Sequence, residues 1–284
     1  WSKIEDLTSK VDNIYFEPKA QLRELIVSAL TSEMPTNIEI PKEASLYIAR
    51  LNKLLELGQY KEAQTFINNN DPNLTVSYQQ QFELNLLKGN DTLACSQSNI
   101  EGVKNTLKQK IYCLNHDGKK SEAKIVFETA KILNKIEEYD AQLIELLLNS
   151  QEFAQSYKID IKKNLSVLDY IILQKNDIKI EDKIIPTSFL FYNLSKTYSI
   201  EKKLIISERL AKFGIISNLQ LFKIYKESVI VNDIELIKRK KCINDLELAI
   251  LKQSSDDIRQ NLVKCLTLFQ KIGLSSNFSK YYRT

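Results

Sequence analysis

The stretch "LGQYKEAQTFINNNDPN", residues 57–73, decides the fold. Gly58 ends a run whose apolar residues (Leu46, Ile48, Leu51, Leu54, Leu55) recur at helical spacing. Ala63 follows five residues later, and a second run closes on Asp71-Pro72. The arrangement recurs as Gly89 with Ala94 in "LKGNDTLAC" and as Gly118 with Ala123 in "HDGKKSEAKIVF", the glycines 31 and 29 residues apart. Glycine suits the left-handed position that closes a helix, and a small alanine one turn into the next helix lets two helices approach closely. The repeating unit is therefore helix, glycine turn, helix, about 30 residues long.

Composition agrees. The chain has 284 residues, 43% hydrophobic and 27% charged, an ordinary globular balance. Six glycines and five prolines are too few turn residues for a β-sandwich or a βαβ protein, so short polar loops between helices are expected. Forty basic against 36 acidic residues leave a net charge of +4, too balanced to point to nucleic acid. No apolar run approaches the 18 residues of a membrane span. Opening at Trp1 rather than Met is expected of a processed or partial chain, so the start bears on a signal peptide in neither direction.

Beyond the repeats, helices are expected near 19–31, 139–149, 163–174, 187–196, 200–213, 218–228, 232–252, 255–272 and 275–283, with Ser199, Asn218 and Ser254 as caps. The polar stretch "QKNDIKIEDKIIP", residues 174–186, is the best boundary, and a strand pair through 177–185 is the rival reading of it.

The residues "LGQYKEAQTF…DPN" resemble the second half of a tetratricopeptide repeat, with Gly58, Tyr60, Ala63 and Asp71-Pro72 in the expected order. The second helix is about one turn short, and the aromatic that opens the unit is missing. The resemblance implies an all-α fold, an α-solenoid of stacked antiparallel hairpins. Its segments would be an N-terminal helical part (1–43), TPR-like repeats (44–135) and an irregular continuation of the same solenoid (136–284). The succession "DTLACSQ", "KIYCLNHDGKKSEAKIVFE", "IISERLAKFGIISNLQLFKIY" is similar to uncharacterised α-helical proteins of alphaproteobacterial cell envelopes. That resemblance implies export to the periplasm, with the cytoplasm as the alternative, and it implies no activity.

Four cysteines stand at 95, 113, 242 and 265. Cys242 and Cys265 are equidistant from the expected turn near 253–254, so an antiparallel hairpin sets them at one height. Cys95 and Cys113 pair only if residues 96–102 run as an extended loop; the envelope resemblance favours this pair. Four buried free thiols are the remaining reading. No Cys-x2-Cys spacing exists and the single histidine is remote from 242 and 265, so neither zinc nor another cofactor is expected.

His116 in "LNHDG" lacks a nucleophile or acid held beside it by sequence, and reads as a polar residue at a helix end. No Ser–His–Asp, HExxH, P-loop or GxGxxG pattern is present, so an enzyme would have to rely on carboxylates, for which "EYDAQLIE" and "SDDIRQ" are the nearest candidates. Lys238, Arg239, Lys240 and Lys241 form a basic run in mid-helix, a patch able to meet an anionic polymer; "KQK" (108–110) is a smaller one. Tyr47, Tyr60, Tyr78, Tyr112 and Tyr139 recur along the repeat region, either in helix contacts or on a groove wall. The function expected is a non-enzymatic scaffold that binds a protein partner through a concave helical groove in the cell envelope. The alternatives are a helical accessory module of a cell-wall-active enzyme and a nucleic-acid-binding repeat protein.

Overall fold

Each of the three repeated glycines closes a helix as the sequence requires. Gly58, Gly89 and Gly118 have φ of 66°, 75° and 78°, and Ala63, Ala94 and Ala123 are fully buried. At Gly58 the N–H bonds Leu55 O (2.9 Å) while the next N–H, of Gln59, bonds Leu54 O (2.8 Å). That crossed pair satisfies carbonyls the helix end would orphan, and it repeats at Gly89 and Gly118. Gly214, Gly273, Asn134 and Gln253 end helices in the same way.

The computed structural model describes residues 2–14, 20–32, 40–71, 73–74, 76–97, 106–149, 159–162, 164–181, 183–195, 199–229 and 232–283. Among them the protein is all-α: sixteen helices and no strand. In chain order these are α1 (Ser2–Asp12), α2 (Ala20–Thr31), α3 (Ile40–Glu56), α4 (Tyr60–Asn70), α5 (Tyr78–Leu87), α6 (Asp91–Ser96), α7 (Leu107–His116), α8 (Lys120–Ile132), α9 (Glu138–Leu148) and α10 (Val167–Lys175). A 3-10 segment (Thr187–Ser195) follows, then α11 (Ile200–Lys212), α12 (Asn218–Glu227), α13 (Ile234–Leu251), α14 (Ser255–Lys271) and α15 (Ser275–Tyr281). Helices pack mostly on their chain neighbours. The chain divides into two compact units, Trp1–Tyr15 with Glu24–Tyr192, and Phe16–Arg23 with Asn193–Thr284.

In the first unit α7, α8 and α9 meet over Ile111, Ala123, Phe127, Ile144 and Leu148. From Val167 to Leu173 helix α10 is apolar on every side except at Asp169, and all seven residues are buried, as a stretch without a polar face must be. It packs on α5 and α9. Residues 164–166, within the expected first turn, stay outside it: a Ser166–Asp169 capping box starts the helix at Val167, and residue 163 lies outside the described residues. Turns and irregular chain occupy the described part of 176–186, and no strand pair forms among the described residues. In the second unit, α13 and α14 form the expected hairpin, and Phe222, Tyr225, Phe269 and Phe278 make a buried aromatic cluster between helices. The cap of α12 is Ser217, one residue before the expected Asn218, because Gln220 completes a capping box with it.

Candidate functional site

Cys95 on α6 and Cys113 on α7 are joined with Cα atoms 5.2 Å apart, and Cys242 on α13 and Cys265 on α14 with Cα atoms 5.6 Å apart; no cysteine is free. Each bond ties helices within one unit. Ser96, inside the stretch 96–102 expected to be an extended loop, still belongs to α6, and residues 98–105 lie outside the described residues.

The four basic residues on α13 do not share a surface. Helical geometry spreads four consecutive residues over about 300°, and one of them must enter the core. Arg239 does so, with 6% of its surface exposed. Its Nε donates to Glu208 Oε1 (2.8 Å) and Tyr225 Oη (2.9 Å), and its Nη2 donates to Glu208 Oε2 (3.2 Å). Tyr225 Oη donates to the same carboxylate. Lys240 donates to the carbonyls of Tyr225 (2.8 Å) and Lys226 (3.1 Å) at the end of α12. Only Lys238, paired with Glu235 at 2.7 Å, and Lys241 remain exposed.

His116 is exposed at the end of α7, with Nε2 3.2 Å from Thr92 Oγ1. Tyr47, Tyr60, Tyr78 and Tyr112 are buried; Tyr60 Oη donates to the Ser188 carbonyl (2.5 Å), and Tyr112 Oη accepts from Lys175 Nζ (2.6 Å). Tyr139 is half-buried under Lys162, whose Nζ lies 4.4 Å from the ring centre.

The first unit holds a cleft of about 440 Å³ where α7, α9 and α10 begin. Gln79 and Glu83 of α5 form one wall. Thr106 to Gln109, Lys135 to Glu137, Asp140, Ser166 and Leu168 form the rest. Lys108 Nζ bridges Asp140 Oδ1 (2.7 Å) and Asp169 Oδ1 (2.6 Å). Burial alone would lower the Lys108 pKa, but the two carboxylates outweigh it and raise it. Asp169 is the only acid in the apolar run 167–173, and the lysine satisfies a charge that would otherwise be stranded in the core. Gln109 Nε2 donates to Gln79 Oε1 (2.5 Å), and Gln79 Nε2 donates to Glu83 Oε1 (2.7 Å). Loss of water around the Glu83 carboxyl, reinforced by the charge of Asp169, raises its pKa despite the Gln79 bond. The acids around the cleft (Glu83, Glu137, Asp140, Asp169) outnumber Lys108 and Lys135, and three helix N-termini offset part of that excess.

Two short signals in the sequence belong to this site. "KQK" supplies Lys108 and "EYDAQLIE" supplies Asp140. The signal that would have joined them is Asp169, a lone carboxylate inside "VLDYIIL", which demands a buried cation. Glu83 had no such mark, being one acid among polar neighbours. Among the described residues no group of His, Cys, Asp and Glu is arranged to hold a metal, and no helix is long and apolar enough to cross a membrane. Comparison with protein-family models, with curated proteins and with solved structures returns no match.

Proposed function

We propose that this chain is a non-enzymatic scaffold of the bacterial cell envelope, a TPR-like helical solenoid that holds an extended segment of a protein partner. The observation that carries the reading is the first unit's cleft. Its volume lies in the range of ligand sites. Its polar groups are already positioned by bonds to one another, so little ordering accompanies binding. The excess of carboxylates favours a segment carrying a basic side chain, and exposed Glu137 at the rim is its first contact. Support for the solenoid comes from the repeated glycine closures and the packing of chain neighbours. The two disulfides support an oxidising compartment.

The test is capture of a partner from a native envelope fraction by the purified chain and by its Glu137→Lys variant. Glu137 is an exposed residue whose ion pair, with exposed Lys162 at 3.3 Å, contributes little to folding. The reading expects a stable partner with the native chain and at least about tenfold weaker retention by the variant. Equal retention refutes it.

A second reading rests on Glu83. A carboxyl whose pKa is raised, in a cleft that Asp140 also lines, is shifted in the direction a general acid needs. In that reading the chain belongs to a cell-wall-active enzyme. Release of soluble fragments from peptidoglycan, abolished by Glu83→Gln, would favour it; no turnover by the native chain removes it.

A further inference from the structure

Helix α13 is apolar on two sides. Leu236, Ile243, Leu246 and Ala249 are buried in the second unit. Ile234, Ile237, Leu248 and Leu251 remain 66%, 36%, 53% and 79% exposed. With Lys241 and Asn244, both exposed, these four fall at steps of three, four, three, four and three, the seam spacing of a coiled coil. Single exposed apolar residues are ordinary, but four in register on a helix about 27 Å long form a contact surface. We propose that this seam binds a second copy of the chain, the two α13 helices lying antiparallel about a two-fold axis.

The seam selects its own occupant. Its steps read the same in both directions, so an antiparallel copy sets Ile234 against the partner's Leu251, Ile237 against the partner's Leu248 and Lys241 against the partner's Asn244. Each contact then occurs twice, as a two-fold interface requires. A parallel copy would instead press two Lys241 ammoniums together. The central Lys–Asn pair costs some stability and fixes register and direction.

Charges flanking the seam agree. Lys238 and Asp245 lie on one flank a heptad apart, and the two-fold brings Lys238 beside the partner's Asp245 at both ends. Within the chain Lys238 meets Glu235 (2.7 Å) and Asp245 meets Lys264 (3.8 Å). The side chains in these contacts are one-third to one-half exposed, so the contacts are weak and leave both groups able to engage a second copy. On the other flank Lys240 holds the end of α12 and Glu247 pairs with Lys226 (2.5 Å), so that flank belongs to the body of the unit.

Sedimentation equilibrium of the purified chain across micromolar concentrations tests the proposal. The mass is expected to rise from 32.9 kDa toward twice that value. Ile237→Glu with Leu248→Glu should weaken association by about 100-fold or more, with the far-UV circular dichroism unchanged. Lys238→Glu and Asp245→Lys should each weaken it, and the two together should restore it, a reciprocity that a merely structural role would not give. A monomer at every concentration overturns the proposal, as does a dimer indifferent to the two seam glutamates. A combined charge exchange no better than either single one overturns the antiparallel arrangement.

Discussion

Arg239→Met is expected to destabilise the second unit severely, whereas Lys238→Met, one position away, should do almost nothing. The Arg239 and Glu208 side chains are 7% and 12% exposed and meet through two N–H···O contacts of 2.8 and 3.2 Å, with Tyr225 on the same carboxylate. Removing one partner of a buried pair leaves an uncompensated charge and costs about 3–5 kcal/mol; removing an exposed lysine costs within ~0.5 kcal/mol. Burial already pushes the Glu208 pKa up, against Tyr225 and Arg239, which hold it down. Without Arg239 it rises further. A raised folded pKa gives stability that is full below the ordinary carboxyl value and lost as pH rises through the folded value. The penalty should therefore be larger at pH 8 than at pH 5. Adding Glu208→Gln should recover at least half of the loss and remove its pH dependence, since the amide oxygen still accepts from Tyr225. Urea denaturation followed by circular dichroism at both pH values reads this as a midpoint drop of about 2 M for Arg239→Met at pH 8. Equal midpoints for Arg239→Met and Lys238→Met would refute the reasoning and return Arg239 to the surface.

Replacing Cys95 and Cys113 by alanine should cost ~3 kcal/mol, and Cys242 with Cys265 about the same, because the closed loops span 18 and 23 residues. Each loss should appear in the denaturation of its own unit, followed by amide exchange. Glu83→Gln should raise stability by up to ~1 kcal/mol at pH 8 and leave it nearly unchanged at pH 4, since the native glutamate's contribution is full only below its ordinary pKa and fades as pH rises through the raised one; thermal melts at the two pH values check the sign. Gly118→Ala should cost about 1–2 kcal/mol through backbone conformation alone, because φ is 78° and an added Cβ meets nothing within 4 Å; a loss above that range would mean that contacts were missed.

Local rules reached most of the helices. Gly58, Gly89 and Gly118 could be read because a left-handed closure demands a particular residue and a buried neighbour demands a small one, and both demands show in a single sequence. The helix expected at 187–196 comes out as a 3-10 segment over its described residues, Thr187–Ser195, and α10 loses its expected first turn to the Ser166 capping box, a choice between adjacent caps that periodicity does not make. The cysteine arithmetic at 242 and 265 needed only the hairpin turn. Arg239 misled because a run of like charges looks solvated until Glu208, 31 residues earlier, is brought beside it. The cleft was hidden for the same reason: Lys108, Asp140 and Asp169 come from three helices, and their meeting is set by tertiary packing.

The central claim, that the first unit's cleft holds a segment of a protein partner, is tested most directly by a photo-crosslinking residue placed at Lys135 on the cleft wall and, separately, at exposed Ile125 on α8, which lies outside it. The account predicts one discrete adduct from position 135 in native cells, none from 125, and loss of the adduct when Glu137→Lys is added. No adduct from 135, or the same adducts from both positions, would contradict it.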